Sequence, residues 1–127
     1  MQVEIHIGPG LIAVARDVSM PDGGVGALAE FTGWVRGEEK GAGIGGLVYE
    51  AYQPMAEREI ERIVRELAAS RPVAGVKVLH RIGRVPVGEA AIYVAVTARH
   101  RAEAFAVLTG FMDRLKQDVP IWKTDTF

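Results

Sequence analysis

The chain contains no cysteine. That absence excludes disulfide staples, thiolate metal sites and any cysteine nucleophile. Histidine is scarce as well: His6, His80 and His100 are scattered, with no HExxH or comparable spacing, so no metal site is expected. No apolar run approaches the ~20 residues that a membrane span needs. The first ten residues, MQVEIHIGPG, lack the basic-then-apolar order of a signal peptide, and the expected compartment is the cytoplasm. Neither sign of charge dominates. Fifteen Lys and Arg against sixteen Asp and Glu leave a formal net charge of −1, so no global field points to nucleic acid or to an anionic membrane.

What is present suits one domain spanning residues 1–127, with 49% apolar residues to fill a core without staples. Residues 1–7 alternate strictly, with Val3, Ile5 and Ile7 on one face, and predict a half-buried strand with His6 on its solvent side. Residues 11–18 form a short apolar stretch compatible with two helical turns, and residues 19–24 (SMPDGG) read as a loop. A long strand is expected over 25–36. The next stretch, GEEKGAGIGG at 37–46, lacks the order of a P-loop, and no GxGxxG leads into a helix, so it reads as a flexible hairpin connection.

Residues 47–52 (LVYEAY) predict a strand. Pro54 suits the first turn of a helix whose buried stripe is Met55, Ile60, Ile63, Val64 and Leu67, with its charges solvated. Strands follow over 73–82 and over 90–98, where AIYVAVTA is apolar enough to be central. Hairpin-like connections dominate, so the expected class is α+β with a mostly antiparallel sheet and two main helices.

The last thirty residues carry the densest chemistry. Arg99, His100 and Arg101 precede an amphipathic helix whose expected stripe is Ala104, Phe105, Leu108, Phe111, Met112 and Leu115. Lys116 sits on its last turn, and Val119-Pro120 ends it, because proline disfavours helical backbone in the residue before it. An apolar pair, Ile121-Trp122, is expected to pin an exit segment to the body and so hold Lys123 in place. Arg36, Arg99, His100, Arg101, Lys116 and Lys123 thus fall near element ends with few carboxylates among them. Arginine forks and a helix amino terminus suit phosphate or carboxylate, and a lysine in a partly dry pocket can act as acid, base or nucleophile. The same charges could equally just solvate helix ends.

Five motifs go further in combination: F-x-G-x-V-R at 31–36, Y-E-A-Y-x-x-M-A at 49–56, H-R-x-G at 80–83, H-R-x-x-A-F at 100–105 and L-K-x-x-x-P-I-W-K at 115–123. Together they resemble the large, catalytic subunit of molybdopterin synthase, the MoaE family, over roughly residues 25–125. The resemblance implies an α/β-hammerhead-type fold and a homodimer within a heterotetramer, flanked by two copies of a small ubiquitin-like sulfur-carrier subunit. The partner's C-terminal Gly-Gly thiocarboxylate would donate sulfur twice to cyclic pyranopterin monophosphate, making the dithiolene of molybdopterin. It implies no resident cofactor, and no metal, nucleic acid or membrane. The lack of cysteine fits a sulfur donor on another chain.

Carried over by motif, the resemblance places catalytic roles on Lys116 and Lys123. Substrate contacts fall on Trp34, Val35, Arg36, His100, Arg101, Lys116, Lys123, Thr124 and Asp125, with Asp125 expected to orient Lys123. Two departures stand out: Glu39 occupies a position where many relatives carry asparagine, and Asp125 replaces a glutamate. Two rival readings are a non-catalytic pterin- or partner-binding dimeric α+β module, and a ferredoxin-like ligand-binding dimer suggested by the β-α-β-β-α order of residues 47–117. Because His100 and Arg101 open the last helix and Lys116 closes it, one substrate cannot easily reach both ends of it within one copy. A site shared between two copies is therefore expected.

Overall fold

The computed structural model describes residues 1–13 and 23–127. Most of the expected short helix over 11–18 and of the loop over 19–24 lies outside the described residues. The elements run Gln2–Gly8 (β1), Ala27–Trp34 (β2), Glu38–Glu39 (β3), Ala42–Gly43 (β4), Gly46–Ala51 (β5), Met55–Ser70 (α1), Gly75–Arg81 (β6), Gly83–Pro86 (β7), Ala90–Ala98 (β8), Arg101–Asp118 (α2) and Ile121–Thr126 (β9). Among the described residues the class is α+β, with two helices and mostly antiparallel sheet. Only β1 departs from that pattern among the described ladders, pairing parallel to β6.

The larger sheet has the order β1-β6-β8-β2, which makes the apolar β8 central, as its sequence predicts. Side chains of alternate strand residues share a face. Val3 and Ile5 of β1, Val76 and Val78 of β6, Ile92, Val94 and Val96 of β8, and Ala29 of β2 all point to the side that α1 and α2 cover. There they meet Ile60, Ile63 and Val64 from α1, and Ala104, Val107, Phe111 and Leu115 from α2. Phe111 is the largest fully buried side chain among the described residues. Its burial contributes about 2–3 kcal/mol by apolar area alone.

Both helical stripes differ from expectation at one residue. Met55 is 42% exposed, and Ala56 is buried in its place. Five residues separate Met55 from Ile60, which turns it about 140° off the stripe, whereas Ala56 sits one turn before Ile60. Phe105 is 59% exposed for a related reason, since it lies about 100° around the helix from the buried Ala104. Val107 takes its place in the core.

The second sheet has the order β7-β5-β9 and is antiparallel throughout. Two of its strands correct the sequence reading. The strand expected over 73–82 is present as β6, but Gly83, at φ +81, then turns the chain into a further strand, β7, that was not expected. The exit segment after α2 is itself a strand, β9, paired with β5. The two sheets also exclude the ferredoxin-like arrangement: β5 precedes α1 but does not join β6 and β8. A small separate core of Val35, Leu47, Val85 and Ala91 lies beneath this sheet. Gly46 is required there, since a Cβ would meet the Val85 carbonyl oxygen at 2.5 Å and the Phe127 ring as well.

The glycine-rich stretch is an ordered hairpin. Lys40 (φ +52) and Gly41 (φ +80) form its left-handed tip and set Glu39 opposite Ala42. Ile44 N–H donates to the Gly37 carbonyl at 3.1 Å and extends the ladder.

Candidate functional site

A cavity of about 540 Å³ opens where the two sheets and the end of α2 meet. Trp34, Val35 and Arg36 reach it from the end of β2, Lys116 from α2 and Lys123 from β9. Each is placed by local backbone physics. The β2–β8 register shifts between Gly33 and Trp34, and a Cβ at Gly33 would press on Ile92 Cγ2 at 2.9 Å. That bulge re-aims the strand end. Val35 is buried and held on both sides: its N–H donates to the Glu89 carbonyl (3.1 Å), and its carbonyl accepts from Gly88 N–H (2.9 Å). Arg36 therefore leaves a fixed point.

Lys116 follows the buried Leu115 in the last turn of α2, where a cation is favoured by the helix dipole. Val119, in extended conformation, ends the helix and donates its N–H to the Leu115 carbonyl at 3.2 Å. Of the apolar pair expected to pin Lys123, Ile121 packs against the main core while Trp122 is 52% exposed. The strand ladder completes the hold: Tyr49 and Lys123 are directly opposed on β5 and β9, so both side chains share the face that lines the cavity.

Thr124 and Asp125 border an adjoining cavity of about 360 Å³, which also touches Glu39 and Lys123. The Thr124 hydroxyl donates to the Val48 carbonyl at 3.4 Å, and the Asp125 carboxylate accepts from Thr126 N–H at 2.8 Å. The carboxylate at Lys123 is therefore Glu39, at 3.4 Å, and not Asp125. His100 and Arg101 do not reach either cavity. Both are exposed at the opposite end of α2, and fifteen residues separate Arg101 from Lys116, about 22 Å of helix.

Three further polar groups line the cavity that the sequence reading did not assign to the site, although Glu39 stood out as a departure at its position and His80 sat at a strand end. Glu39 comes in from the hairpin; His80 and Tyr49 form the back wall, with ring centroids 5.3 Å apart in an edge-on arrangement. Burial lowers the His80 pKa, against a smaller opposing effect from its bond to the Arg81 carbonyl. Its Nδ1 lies 2.9 Å from that carbonyl and must be the donor, so the neutral ring keeps Nε2 as an acceptor. Burial, then the charge of Glu39, pushes the Tyr49 phenol up.

Among the described residues, three cations and one carboxylate line this cavity, a charge balance that suits an anion of small-molecule size. Neither lysine is dried out within one chain, Lys123 being about half exposed. A depression of about 620 Å³ on the face of the larger sheet away from the two helices lacks such a cluster among the described residues: its lining charges, Glu4 and Lys77, pair with each other at 3.3 Å. Among the described residues no group of three or more His, Asp or Glu is placed to hold a metal, and no helix is long and apolar enough to cross a membrane.

Comparison with known proteins agrees with the geometry. The model of the family described as "MoaE protein" matches residues 10–118. The molybdopterin synthase catalytic subunit of Oryza sativa subsp. indica is 40% identical over 121 residues, covering 94% of this chain and 63% of that protein. Its Homo sapiens counterpart is 41% identical over 102 residues, covering 80% and 54%. The chain thus spans little more than half to two thirds of the length of these relatives. Among solved structures, the molybdopterin biosynthesis MoaE protein from Burkholderia ambifaria MC40-6 superposes with a TM-score of 0.82 at 30% identity, covering 99% of this chain and 84% of that one. With the family model matching most of its length and the fold shared throughout, the chain belongs to the MoaE family.

Proposed function

We propose that this chain is the catalytic subunit of a molybdopterin synthase in the cytoplasm. It transfers sulfur from the thiocarboxylated C-terminus of a small ubiquitin-like partner to cyclic pyranopterin monophosphate. The observation that carries the reading is the convergence of Arg36, Lys116 and Lys123, remote in sequence, on one cavity. The names of the relatives support it, and the chain has no sulfur nucleophile of its own to offer.

In this reading, each transfer forms a carbon–sulfur bond to the pterin side chain in place of a carbon–oxygen bond, whose oxygen leaves, and breaks the acyl–sulfur bond of the partner. Water takes the place of sulfur on the acyl carbon and leaves a carboxylate. Arg36 holds the substrate phosphate together with His100 and Arg101 of a second copy in a homodimer. Lys116 stabilises the oxyanion that develops on the acyl group. Lys123 moves protons at the pterin side chain or positions the partner's tail.

The test is reconstitution. The purified chain mixed with a thiocarboxylated small partner should convert cyclic pyranopterin monophosphate to the dithiolene, and the chain alone, even with free sulfide, should convert none. Turnover by the chain without a second protein would defeat this reading.

A further inference from the structure

We infer that Glu39 is a positioning residue of this site: it holds the Lys123 ammonium in place and divides the cavity into a phosphate-binding end and a proton-handling end. The inference rests on the sulfur-transfer reading and names a group that neither the motifs nor the family comparison assigns.

The geometry behind it is specific. Strand alternation sends Glu38 and Glu39 of β3 to opposite sides of the hairpin. Glu38 borders a shallow surface depression with Gly37 and Lys40, while Glu39 lines both the main cavity and the adjoining one. The left-handed tip at Lys40-Gly41 fixes that choice, because a one-residue slip would exchange the two carboxylates. The Glu39 side chain is only 24% exposed, and its Oε1 lies 3.4 Å from Lys123 Nζ. Tyr49, opposite Lys123 in the ladder, stands close enough for its phenol to feel the same carboxylate.

A half-exposed pair at that separation adds little to stability, so scaffolding does not account for it. In a cavity built for an anion, a carboxylate also works against binding. Its effect is local: it neutralises Lys123 and leaves Arg36 and Lys116 as the lining cations with no carboxylate partner among the described residues. A substrate phosphate is therefore steered to Arg36, Lys116 is left for the acyl oxyanion, and Lys123 stays available at the reacting end with Glu39 as its proton partner.

This arrangement predicts a split that a structural role would not produce. In the reconstituted synthase, Glu39→Gln should lower kcat about tenfold or more while lowering KM for the pyranopterin. Glu39→Asp, which keeps the charge with shorter reach, should fall between the variant and wild type. Separately, the chain alone titrated with inorganic phosphate by calorimetry should bind about tenfold more tightly as Glu39→Gln. That gain should vanish in the Glu39→Gln, Lys123→Met double variant. An unchanged kcat, or a loss of rate together with weaker phosphate binding, would overturn the inference. Should wild-type chain and partner show no turnover, the sulfur-transfer reading falls. The phosphate titration then decides the role of Glu39: unchanged affinity overturns it, and Lys123-dependent tightening sustains it.

Discussion

Complementation between two inactive variants tests whether the site is shared. α2 runs unbroken from Arg101 to Asp118, so Arg101 and Lys116 are about 22 Å apart along a straight helix. The cavity contains Lys116 and Lys123 but neither His100 nor Arg101. If Arg101 contacts the substrate, it does so in the pocket of another copy. Arg101→Ala and Lys123→Ala homodimers should each be impaired about 100-fold or more. Random exchange places half of all chains in heterodimers. In each heterodimer one pocket has lost both groups, and the other combines an intact Lys123 with an intact Arg101. One pocket in four is then whole, so activity should recover to about one-quarter of wild type. Product formation with saturating partner is measured before and after exchange, and native mass spectrometry of mass-tagged chains counts the heterodimers. Heterodimers present at the expected share with no recovery would refute the shared site. So would a wild-type rate from Arg101→Ala alone, which would remove Arg101 from the chemistry.

Three further outcomes follow from the same geometry. Lys116→Ala and Lys123→Ala should each cut turnover by about 100-fold or more while melting like wild type, because both side chains are exposed; two folded variants with near-normal rates would contradict their roles. Phe111→Ala should cost about 3–5 kcal/mol in urea unfolding, since it empties the centre of the helix–sheet core. His80, whose pKa is lowered by burial from 6.5, binds fewer protons folded than unfolded just below that pH. Its contribution to stability is therefore complete above about pH 6.5 and declines as pH falls below it, by up to ~1.4 kcal/mol per unit. Denaturation at pH 7.5 and 5.0 should show this slope, and His80→Gln should flatten it.

Local pattern was enough for the parts of this molecule that bury a periodic face. β1, the central β8 and both helices follow from the period of their apolar residues, and the end of α2 from Pro120. The two cationic clusters of the last thirty residues were also legible, as was their separation by the length of one helix. What the sequence could not supply was the choice of partner across space. Met55 and Phe105 are as apolar as their neighbours, and their offsets of about 140° and 100° from the buried stripes leave them outside. β7 and β9 are short and carry no strong alternation; they are strands because β5 lies between them with free hydrogen-bonding edges on both sides. The ion pair of Glu39 and Lys123 is the extreme case, joining residues 84 positions apart through a hairpin tip and a strand ladder. Composition and spacing set which groups the site could contain. Pairing and packing, which depend on non-local contacts, decided that Arg36, Lys116, Lys123 and Glu39 stand around one cavity while His100 and Arg101 do not.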